Sequence, residues 1–312
     1  MNLCKSSVPF KAERDIPSLE GKVILVTGGN IGLGKQTIIE YARHNPAQIW
    51  LAARNLEKAK IAVEEIKQQL PSVASPNIKL LKLDLSSMDS VKTAANTFLK
   101  EADRLDILVL NAGIMATAPD RTQDGYELQF GTNYIGHALL AKLLIPALNK
   151  AASLPGSDVR VVMVSTYGHS LAPKEGIRYT TLREDGTELG PYGCYGQSKL
   201  AMILWVRKFA ALYPQFTTAA VHPGLVRTNL MTGATGQSFL LKMVGYVAEK
   251  VGTSVEQGVK NQLWASVAQD VKSGEYYEPV GIGGTATALG KDDTLAEKLW
   301  QWTETDLAAW VS

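Results

Sequence analysis

One stretch decides the fold of this 312-residue chain: Lys22-Val-Ile-Leu-Val-Thr-Gly-Gly-Asn-Ile-Gly-Leu-Gly-Lys35. Its apolar run, Val23 to Val26, has the length of a buried strand, and a helical pattern begins directly after the glycines. Gly28, Gly32 and Gly34 let the backbone turn tightly and approach a ligand, and the first helical turn leaves its N–H groups unpaired. The stretch therefore predicts a strand, a turn and a helix N-terminus that suit the pyrophosphate of a dinucleotide. Similar turns also occur where nothing is bound.

Predicted strands alternate with predicted helices through the first two thirds of the chain. Most strand candidates are continuously apolar, which is typical of a parallel sheet covered by helices on both faces. The pattern predicts a Rossmann-like, doubly wound parallel α/β sheet of about seven strands. The strand candidates are Val23 to Val26, Ile49 to Ala53, Ile78 to Leu83, Ile107 to Leu110, Val159 to Val164, Thr217 to Val221 and a short strand near Tyr276. The helix candidates are Lys35 to Arg43, Leu56 to Gln69, Met88 to Glu101, Gly125 to Lys150, Tyr195 to Leu212, Val255 to Val267 and Thr294 to Trp310.

The chain is expected to form one domain, because no low-complexity linker and no solenoid repeat divides it. Residues 1–18 are interpreted as an N-terminal arm and residues 19–312 as a single Rossmann-like domain. An insertion over about residues 167–191 is rich in Gly and Pro and is expected to be a loop or small lobe. A segment over about residues 225–252 combines Thr, Gly and Ser with an apolar run, and is expected to form a flap over the substrate site.

The composition argues against several classes of protein. The chain is 46% apolar and 20% charged with a net charge of +2, which is ordinary for a soluble globular protein and does not favour nucleic acid as a partner. Cys4 and Cys194 are far apart and lack metal-ligand spacing, so no disulfide framework or metal site is expected. No stretch is apolar for long enough to form a signal peptide or a membrane span. A metal-free cytoplasmic protein is therefore expected.

The end of the second predicted strand indicates which nucleotide is bound. In a dinucleotide fold this position faces the adenosine ribose, and an acidic residue there favours NAD. Arg54 stands there instead, beside a helix start where a cation is disfavoured unless an anion lies nearby. Arg54 therefore favours the 2′-phosphate of NADP, with a solvated surface arginine as the alternative. Asp84 and Leu85 follow the third strand and Asn111-Ala112-Gly113 follows the fourth; these residues either contact the cofactor or form turns.

Tyr195 and Lys199 are four residues apart and so lie on one face of a predicted helix. A phenol has an ordinary pKa near ~10 and acts as a base at neutral pH only if that pKa is lowered. Lys199 is a cation placed to lower it. The same spacing also occurs on helices by chance, so the pair needs support from other motifs.

Five motifs together make the chain resemble the short-chain dehydrogenase/reductase family in its single-domain form, over about residues 19–290. Within that family the chain looks most like the NADP-dependent retinol-dehydrogenase-like and fungal-type reductases. The motifs, in order, are Thr27-Gly28-x3-Gly32-x-Gly34, Asn111-Ala112-Gly113, Asn133 in Asn-Tyr-Ile-Gly, Tyr195-x3-Lys199 and Pro223-Gly224.

The resemblance implies catalytic roles for the matching residues. Tyr195 would be the general acid in carbonyl reduction or the base in alcohol oxidation, and Lys199 would lower its pKa and hold the nicotinamide ribose. Asn133 would anchor a water that links Lys199 to solvent. Thr166 stands where the family normally has its catalytic serine, and its hydroxyl would orient the carbonyl oxygen. Ser165 is the alternative if the alignment slips by one residue.

The resemblance also implies an NADP(H) site at the carboxyl edge of the sheet. The residues expected to contact that cofactor are Gly28, Asn30, Ile31, Gly32, Leu33, Gly34, Arg54, Asp84, Leu85, Asn111, Ala112, Gly113, Tyr195, Lys199, Pro223, Gly224, Val226 and Thr228.

The main hypothesis is an NADP(H)-dependent oxidoreductase that interconverts a ketone or aldehyde and the corresponding alcohol by hydride transfer. One alternative is a nucleotide-binding sensor or scaffold with little or no turnover. This alternative is based on Thr166, which stands where the family normally has its catalytic serine. Another is a sugar-nucleotide epimerase or dehydratase, which the wide gap between Gly28 and Gly32 disfavours. Flap residues such as Phe239 and Tyr246 favour an apolar or bulky small-molecule substrate. Monomeric and homo-oligomeric states are both compatible with the sequence.

Overall fold

A computed structural model of the chain describes residues 7–71, 76–226 and 252–311. Its strands form one sheet, with bounds β1 (Val23–Thr27), β2 (Gln48–Ala53), β3 (Ile78–Lys82), β4 (Ile107–Leu110), β5 (Arg160–Val164), β6 (Thr217–Val221) and β7 (Tyr276–Tyr277). All pairings are parallel and the spatial order is β3-β2-β1-β4-β5-β6-β7. The predicted Rossmann-like sheet is confirmed.

Helices cover both faces of this sheet. The longer ones are α1 (Gly32–Ala42), α2 (Leu56–Gln69), α3 (Met88–Glu101), α4 (Gly136–Leu143), α5 (Ile145–Ala152), α6 (Gly190–Leu212), α7 (Lys260–Val267) and α8 (Asp293–Asp306). Shorter helical turns lie at Ala12–Asp15, Leu128–Phe130, Tyr167–Leu171, Tyr179–Thr181, Val255–Gly258, Leu289–Lys291 and Ala308–Val311.

The central strand β1 is buried on both faces, as its continuous apolarity predicts. Because side chains alternate along a strand, Val23 and Leu25 enter the core beneath α3 to α6 and α8. Ile24 and Val26 enter the second core, beneath α1, α2 and α7. This burial on both sides fixes the strand in the middle of the domain and carries its end, Thr27, to the edge of the sheet.

The sheet reverses its direction of growth between β1 and β4. The register pairs Thr27 with Ala52 of β2, and Val26 with Val109 of β4, so the carboxyl ends of three strands reach one edge. Doubly wound sheets bind ligands in the crevice at this reversal. The turn after β1 and the turn that begins at Asn111 after β4 therefore line the expected ligand crevice.

The region of residues 125–150, predicted as one helix, is divided into several pieces. A π-helical turn, Gly131–Ile135, precedes α4, and α4 is separated from α5 at Leu144. Pro146 lies in the first turn of α5, where its missing N–H leaves no helical hydrogen bond unmade. π turns recur at functional sites because they redirect side chains and carbonyls.

The insertion of residues 167–191 packs against neighbouring parts of the domain. The guanidinium of Arg183 lies 3.9 Å from the ring centre of Tyr126, and its Nη2 is 2.8 Å from an oxygen of Asp306 in α8. Helix α6 begins within the insertion, at Gly190, so Tyr195 lies in its second turn and not at its start.

Helix α8 covers one side of α6. The ring centres of Trp300 and Trp205 are 6.4 Å apart, and Trp300 is equally close to Phe209. Thr303 forms a hydrogen bond of 2.6 Å with the hydroxyl of Tyr134. The last long helix is therefore part of the main core.

The first described residues also pack against the domain. Phe10 and Ile16 are buried in the core beneath α1 and α7, and the N–H of Val8 donates to the carbonyl of Val280 at 2.9 Å. No helix within the described ranges is long and apolar enough to cross a membrane. Most of the predicted flap, residues 227–251, lies outside the described residues.

Gly34 provides a test of the turn geometry. A Cβ atom there would lie 2.3 Å from the carbonyl oxygen of Gly28, so the turn would have to open. We expect Gly34→Ala to lower the free energy of unfolding in urea by about 1–3 kcal/mol relative to Gly193→Ala. Gly193 is the matched control because it is also helical and its Cβ would meet only the Leu189 side chain, at 3.2 Å. Equal stability of the two variants would contradict the described turn.

Candidate active site

The turn after β1, called the glycine turn below, has no room for side chains at Gly28 and Gly34. Gly28 and Gly32 have φ angles of +66° and +53°, in the left-handed region that favours glycine. A Cβ at Gly28 would lie 3.1 Å from the Cα of Ala112, and one at Gly34 would lie 2.7 Å from Nδ2 of Asn111. The turn after β1 therefore packs directly on the turn after β4.

The N-terminus of α1 is suited to an anion. Ile31 is its N-cap and supplies no side-chain hydrogen bond, and the first helical turn contains no acidic residue. Unpaired N–H groups and the positive end of the helix dipole favour a phosphate at such a position. Ile31 is large, apolar and 54% exposed, Asn30 is half-buried beside it, and Leu33 packs against the core beneath α1.

Arg54 is exposed at the edge of the sheet next to this turn. The N–H of Gly29 donates to the carbonyl of Ala52 at 3.2 Å, which holds the glycine turn two residues from Arg54. Within the described part of the chain the guanidinium of Arg54 has no carboxylate partner, whereas Lys35 is paired with Glu65. Arg54 is therefore available to an anion at this position.

Asp84 and Leu85 lie just beyond β3. Oδ1 of Asp84 accepts hydrogen bonds from the N–H and the hydroxyl of Ser86, at 3.0 and 2.7 Å. The N–H of Asp84 donates to Oγ of Ser90 at 2.9 Å, and Leu85 is buried against Gly136 of α4. Asp84 thus organises the turn that leads into α3, at a position predicted either to contact the cofactor or to form a turn.

Thr27 joins the turns at the ends of β1 and β4. Its Oγ1 accepts hydrogen bonds from the N–H groups of Asn111 and Ala112, at 2.9 and 3.0 Å. Its carbonyl accepts from Nδ2 of Asn111 at 2.9 Å. A Cβ at Gly113 would lie 3.5 Å from Nζ of Lys199, so the β4 turn reaches the predicted catalytic lysine.

Asn133 lies in the π turn and is wholly buried. Its Oδ1 accepts from the N–H of Ile114 at 2.8 Å, and its Nδ2 donates to the carbonyl of Ile114 and to Oγ of Ser198, both at 3.0 Å. Its own carbonyl lies 2.8 Å from Nδ1 of His137. Asn133 therefore links the β4 turn to helix α6, which carries Tyr195.

Tyr195 and Lys199 are both enclosed. Nζ of Lys199 lies 5.7 Å from the ring centre of Tyr195 and donates to the carbonyl of Val164 at 2.9 Å. Burial raises the pKa of the Tyr195 phenol and lowers the pKa of Lys199 to about 7. Burial therefore opposes the lowering of the Tyr195 pKa that is expected from Lys199, whose ammonium is directed at a carbonyl, and that role of Lys199 stays a prediction.

The two candidate hydroxyls after β5 have different surroundings. Oγ1 of Thr166 accepts from the N–H of Gly168 at 3.3 Å, and a Cβ at Gly168 would lie 3.0 Å from the Tyr195 ring and 3.1 Å from Cγ2 of Thr166. Thr166 and Tyr195 therefore flank the same glycine. The hydroxyl of Ser165 is buried and donates to the carbonyl of Lys199 at 2.9 Å, so it is directed at the backbone of α6.

Histidines that the sequence assigned no role lie beside these residues. Nδ1 of His169 is 2.8 Å from the carbonyl of Thr166, and its Nε2 accepts from the N–H of Thr287 at 3.0 Å. Burial and then the charges of His169 and Lys199 lower the pKa of His222 to about 4. His222 directly precedes Pro223, and this adjacency is the signal in the sequence that could have pointed to it.

The Pro223-Gly224 motif lies where β6 ends. Gly224 has a φ of +85°, and Val226 forms a parallel bridge with Thr253. A Cβ at Gly258 would lie 2.4 Å from Val226, so this segment packs against the turn before α7. Thr228, which was also expected to contact the cofactor, lies outside the described residues.

The described ranges contain no group of three or more His, Cys, Asp or Glu side chains that could hold a metal ion. Cys194, next to Tyr195, is buried, and its Sγ lies 3.5 Å from the carbonyl of Gly186. Burial raises the pKa of this thiol to about 12, so it stays protonated at neutral pH.

Comparison with known proteins identifies the family. The family model for short chain dehydrogenase matches residues 22–181. The short-chain dehydrogenase/reductase drtF of Aspergillus calidoustus is 36% identical over 309 residues, which cover 94% of this chain and 95% of that protein. Retinol dehydrogenase 13 of Mus musculus is 32% identical over 290 residues, which cover 91% and 83%. The chain belongs to the short-chain dehydrogenase/reductase family of oxidoreductases, as its motifs indicated.

Solved structures show the same fold. An uncharacterized protein from Mycobacterium paratuberculosis is 26% identical, with a TM-score of 0.71 over 94% of this chain and 96% of that one. The NADPH-bound carbonyl reductase from chicken fatty liver is 23% identical, with a TM-score of 0.60 over 83% and 96%. The fold of most of this chain therefore has known structural counterparts.

The low pKa of His222 makes a prediction about stability. Because the folded pKa of about 4 lies below the unfolded value of 6.5, the unfolded chain binds more protons between these limits. This contribution to stability is complete above pH 6.5 and is lost as the pH falls, by up to about 1.4 kcal/mol per pH unit. Urea unfolding at about pH 7, 6 and 5 measures it. His222→Gln should be less sensitive to acid than the wild type by this amount, and parallel pH profiles would contradict the prediction.

Proposed function

We propose that this chain is an NADP(H)-dependent oxidoreductase that interconverts a ketone or aldehyde and the corresponding alcohol, with Tyr195 as the general acid or base. Membership of the family supports the assignment as an oxidoreductase. One observation supports the cofactor and the role of Tyr195: Thr166 and Tyr195 flank Gly168, while Gly113 of the β4 turn lies against Lys199. These groups stand together at the edge where the glycine turn offers a phosphate site.

The residues at this edge fit a nicotinamide dinucleotide. The uncapped start of α1 and the closely packed Gly28 and Gly34 suit a pyrophosphate, and Gly113 brings the β4 turn next to Nζ of Lys199, which is expected to hold the ribose. When bound, such a cofactor supplies or accepts the hydride. The chain's own residues bind it, orient the substrate oxygen and transfer the proton.

Tyr195 is in the protonation state that carbonyl reduction needs. Because burial raises its pKa, its phenol is protonated at neutral pH and can donate to a carbonyl oxygen. The hydroxyl of Thr166 accepts from the N–H of Gly168, which leaves its proton for the same carbonyl oxygen. Two donors that converge on the developing negative charge would stabilise the transition state.

Lys199 supports the return of the proton. With a pKa of about 7, its ammonium and amine forms are both populated near neutral pH. A tyrosinate formed at Tyr195 favours the ammonium form, since opposite charges in a buried site attract strongly. Lys199 would thus stabilise the tyrosinate and help to reprotonate it.

Exposed side chains near the site support an apolar substrate. Tyr167 and Leu171 lie in the short helical turn that follows Thr166, and each is 51% exposed. Leu225, which follows Gly224, is 47% exposed. Large apolar side chains exposed beside a polar catalytic group are typical of a binding surface for an apolar ligand.

The role of Tyr195 is tested by Tyr195→Phe. Loss of the phenolic proton donor should reduce turnover by about 10²- to 10⁴-fold, with little change in the dissociation constant for NADPH. Turnover is measured as NADPH oxidation with a panel of aldehydes and ketones, and binding by fluorescence. Tyr192→Phe, one helical turn earlier, is the matched control and should keep wild-type turnover. Undiminished turnover of Tyr195→Phe would show that Tyr195 is not the general acid or base.

The role of Arg54 is tested by Arg54→Ala. A hydrogen-bonded guanidinium–phosphate contact contributes enough that its loss should weaken NADPH binding by about 10- to 100-fold. NADH, which has no 2′-phosphate, provides the internal control, and its dissociation constant should hardly change. If both cofactors lose affinity equally, or neither does, Arg54 does not recognise the 2′-phosphate.

A further inference from the structure

His137 lies between the end of β1, where the glycine turn starts, and the π turn that contains Asn133. It is wholly buried in the first turn of α4. Its Nε2 is 2.9 Å from Oγ1 of Thr27, and its Nδ1 is 2.8 Å from the carbonyl of Asn133. One imidazole therefore connects the end of β1, where the glycine turn starts, to the π turn that carries Asn133.

The hydrogen bonds at Thr27 determine which imidazole nitrogen carries the proton. Oγ1 of Thr27 already accepts from two backbone N–H groups, those of Asn111 and Ala112, which can only donate. A hydroxyl oxygen has two lone pairs, so its remaining bond must be one that it donates. The nearest acceptor is Nε2 of His137 at 2.9 Å, closer than the carbonyl of Val109 at 3.5 Å. Nε2 is therefore unprotonated.

Nδ1 of His137 then carries the proton and donates to the carbonyl of Asn133. The imidazole is neutral, and burial, which lowers its pKa to about 4, keeps it neutral. The two hydrogen bonds therefore have the same donor-to-acceptor direction: Thr27 donates to His137, and His137 donates to Asn133. An imidazolium would direct a second N–H at Thr27 Oγ1, whose lone pairs are both taken.

The chain of hydrogen bonds continues to Tyr195. Nδ2 of Asn133 donates to Oγ of Ser198 at 3.0 Å, and Oγ of Ser198 donates to the carbonyl of Tyr195 at 2.8 Å. Thr27, His137, Asn133 and Ser198 thus join the glycine turn to the helical turn of the catalytic tyrosine. All four side chains are essentially excluded from solvent.

We propose that His137 is a positioning residue that couples the glycine turn to helix α6, which carries Tyr195, through its two hydrogen bonds. This inference rests on the proposed function. Its Thr27 bond fixes the hydroxyl that holds Asn111 and Ala112 against the glycine turn, and therefore acts on cofactor affinity. Its Asn133 bond fixes the π turn that holds α6, and therefore acts on turnover of the bound complex.

Two conservative variants separate the two bonds. In His137→Gln the amide oxygen takes the place of Nε2 and can accept from Thr27. In His137→Asn the amide nitrogen takes the place of Nδ1 and can donate to Asn133. His137→Leu keeps a similar volume and makes neither bond. The dissociation constant of NADPH is measured by fluorescence titration, and kcat with 4-nitrobenzaldehyde at saturating NADPH.

We expect His137→Gln and His137→Asn to have opposite effects on NADPH affinity and on kcat. NADPH affinity should be near the wild-type value in His137→Gln and about tenfold weaker in His137→Asn and His137→Leu, since each loses a buried bond to Thr27. The kcat should be retained in His137→Asn and fall about tenfold in His137→Gln and His137→Leu. If the wild type does not reduce the aldehyde, the order of NADPH affinities decides alone.

Tyr41→Phe is the matched control for loss of a buried hydrogen bond. It removes the 2.6 Å bond to Oγ of Ser266, away from the site, and should lower thermal stability with affinity and kcat unchanged. His137 variants that behave in the same way would overturn the inference and leave the proposed function intact. A wild-type chain that binds neither NADPH nor NADH would overturn the proposed function, and the inference with it.

Discussion

The hydroxyl of Thr27 holds together the two strands between which the sheet reverses. Its oxygen accepts hydrogen bonds from the N–H groups of Asn111 and Ala112, at 2.9 and 3.0 Å. The contact of the glycine turn with Ala112 and the approach of Gly113 to Lys199 both depend on this attachment. The turns after β1 and β4, which line the expected ligand crevice, are thus joined to each other without a ligand, because backbone N–H groups of one turn donate to Thr27 at the start of the other.

Local features of the sequence were sufficient to predict the sheet and several helices. Continuous apolarity identified β1 and β4 because those strands are buried on both faces. The bounds of α2 and α3 agree with the prediction, since Asn55 and Ser87 cap their first turns with side-chain hydrogen bonds. The family followed from motif order, and the comparisons with known proteins confirm it.

Other properties depend on residues that are distant in sequence. The roles of Thr166 and Ser165 were ambiguous because the hydroxyl of Ser165 finds its partner, the Lys199 carbonyl, 34 residues away. The burial that raises the pKa of Tyr195 could not be predicted, because the spacing to Lys199 reveals a nearby charge but not the enclosure of both groups. The π turn and the contacts of His137 also arise from tertiary packing. The residues proposed to contact NADP(H) stay predictions, and Thr228 lies outside the described residues.

The position of α8 has a consequence for how the chain is made. During synthesis from the N-terminus, α6 emerges with Trp205 and Phe209 uncovered, because Trp300 belongs to the last long helix. Tyr134 likewise lacks its partner Thr303 until that helix has been translated. A nascent chain that already has most of its sheet therefore presents an aromatic surface until α8 has been translated. Such surfaces are where chaperones bind and where incomplete chains associate, so the nascent chain should be most vulnerable to aggregation before α8 emerges to cover this surface.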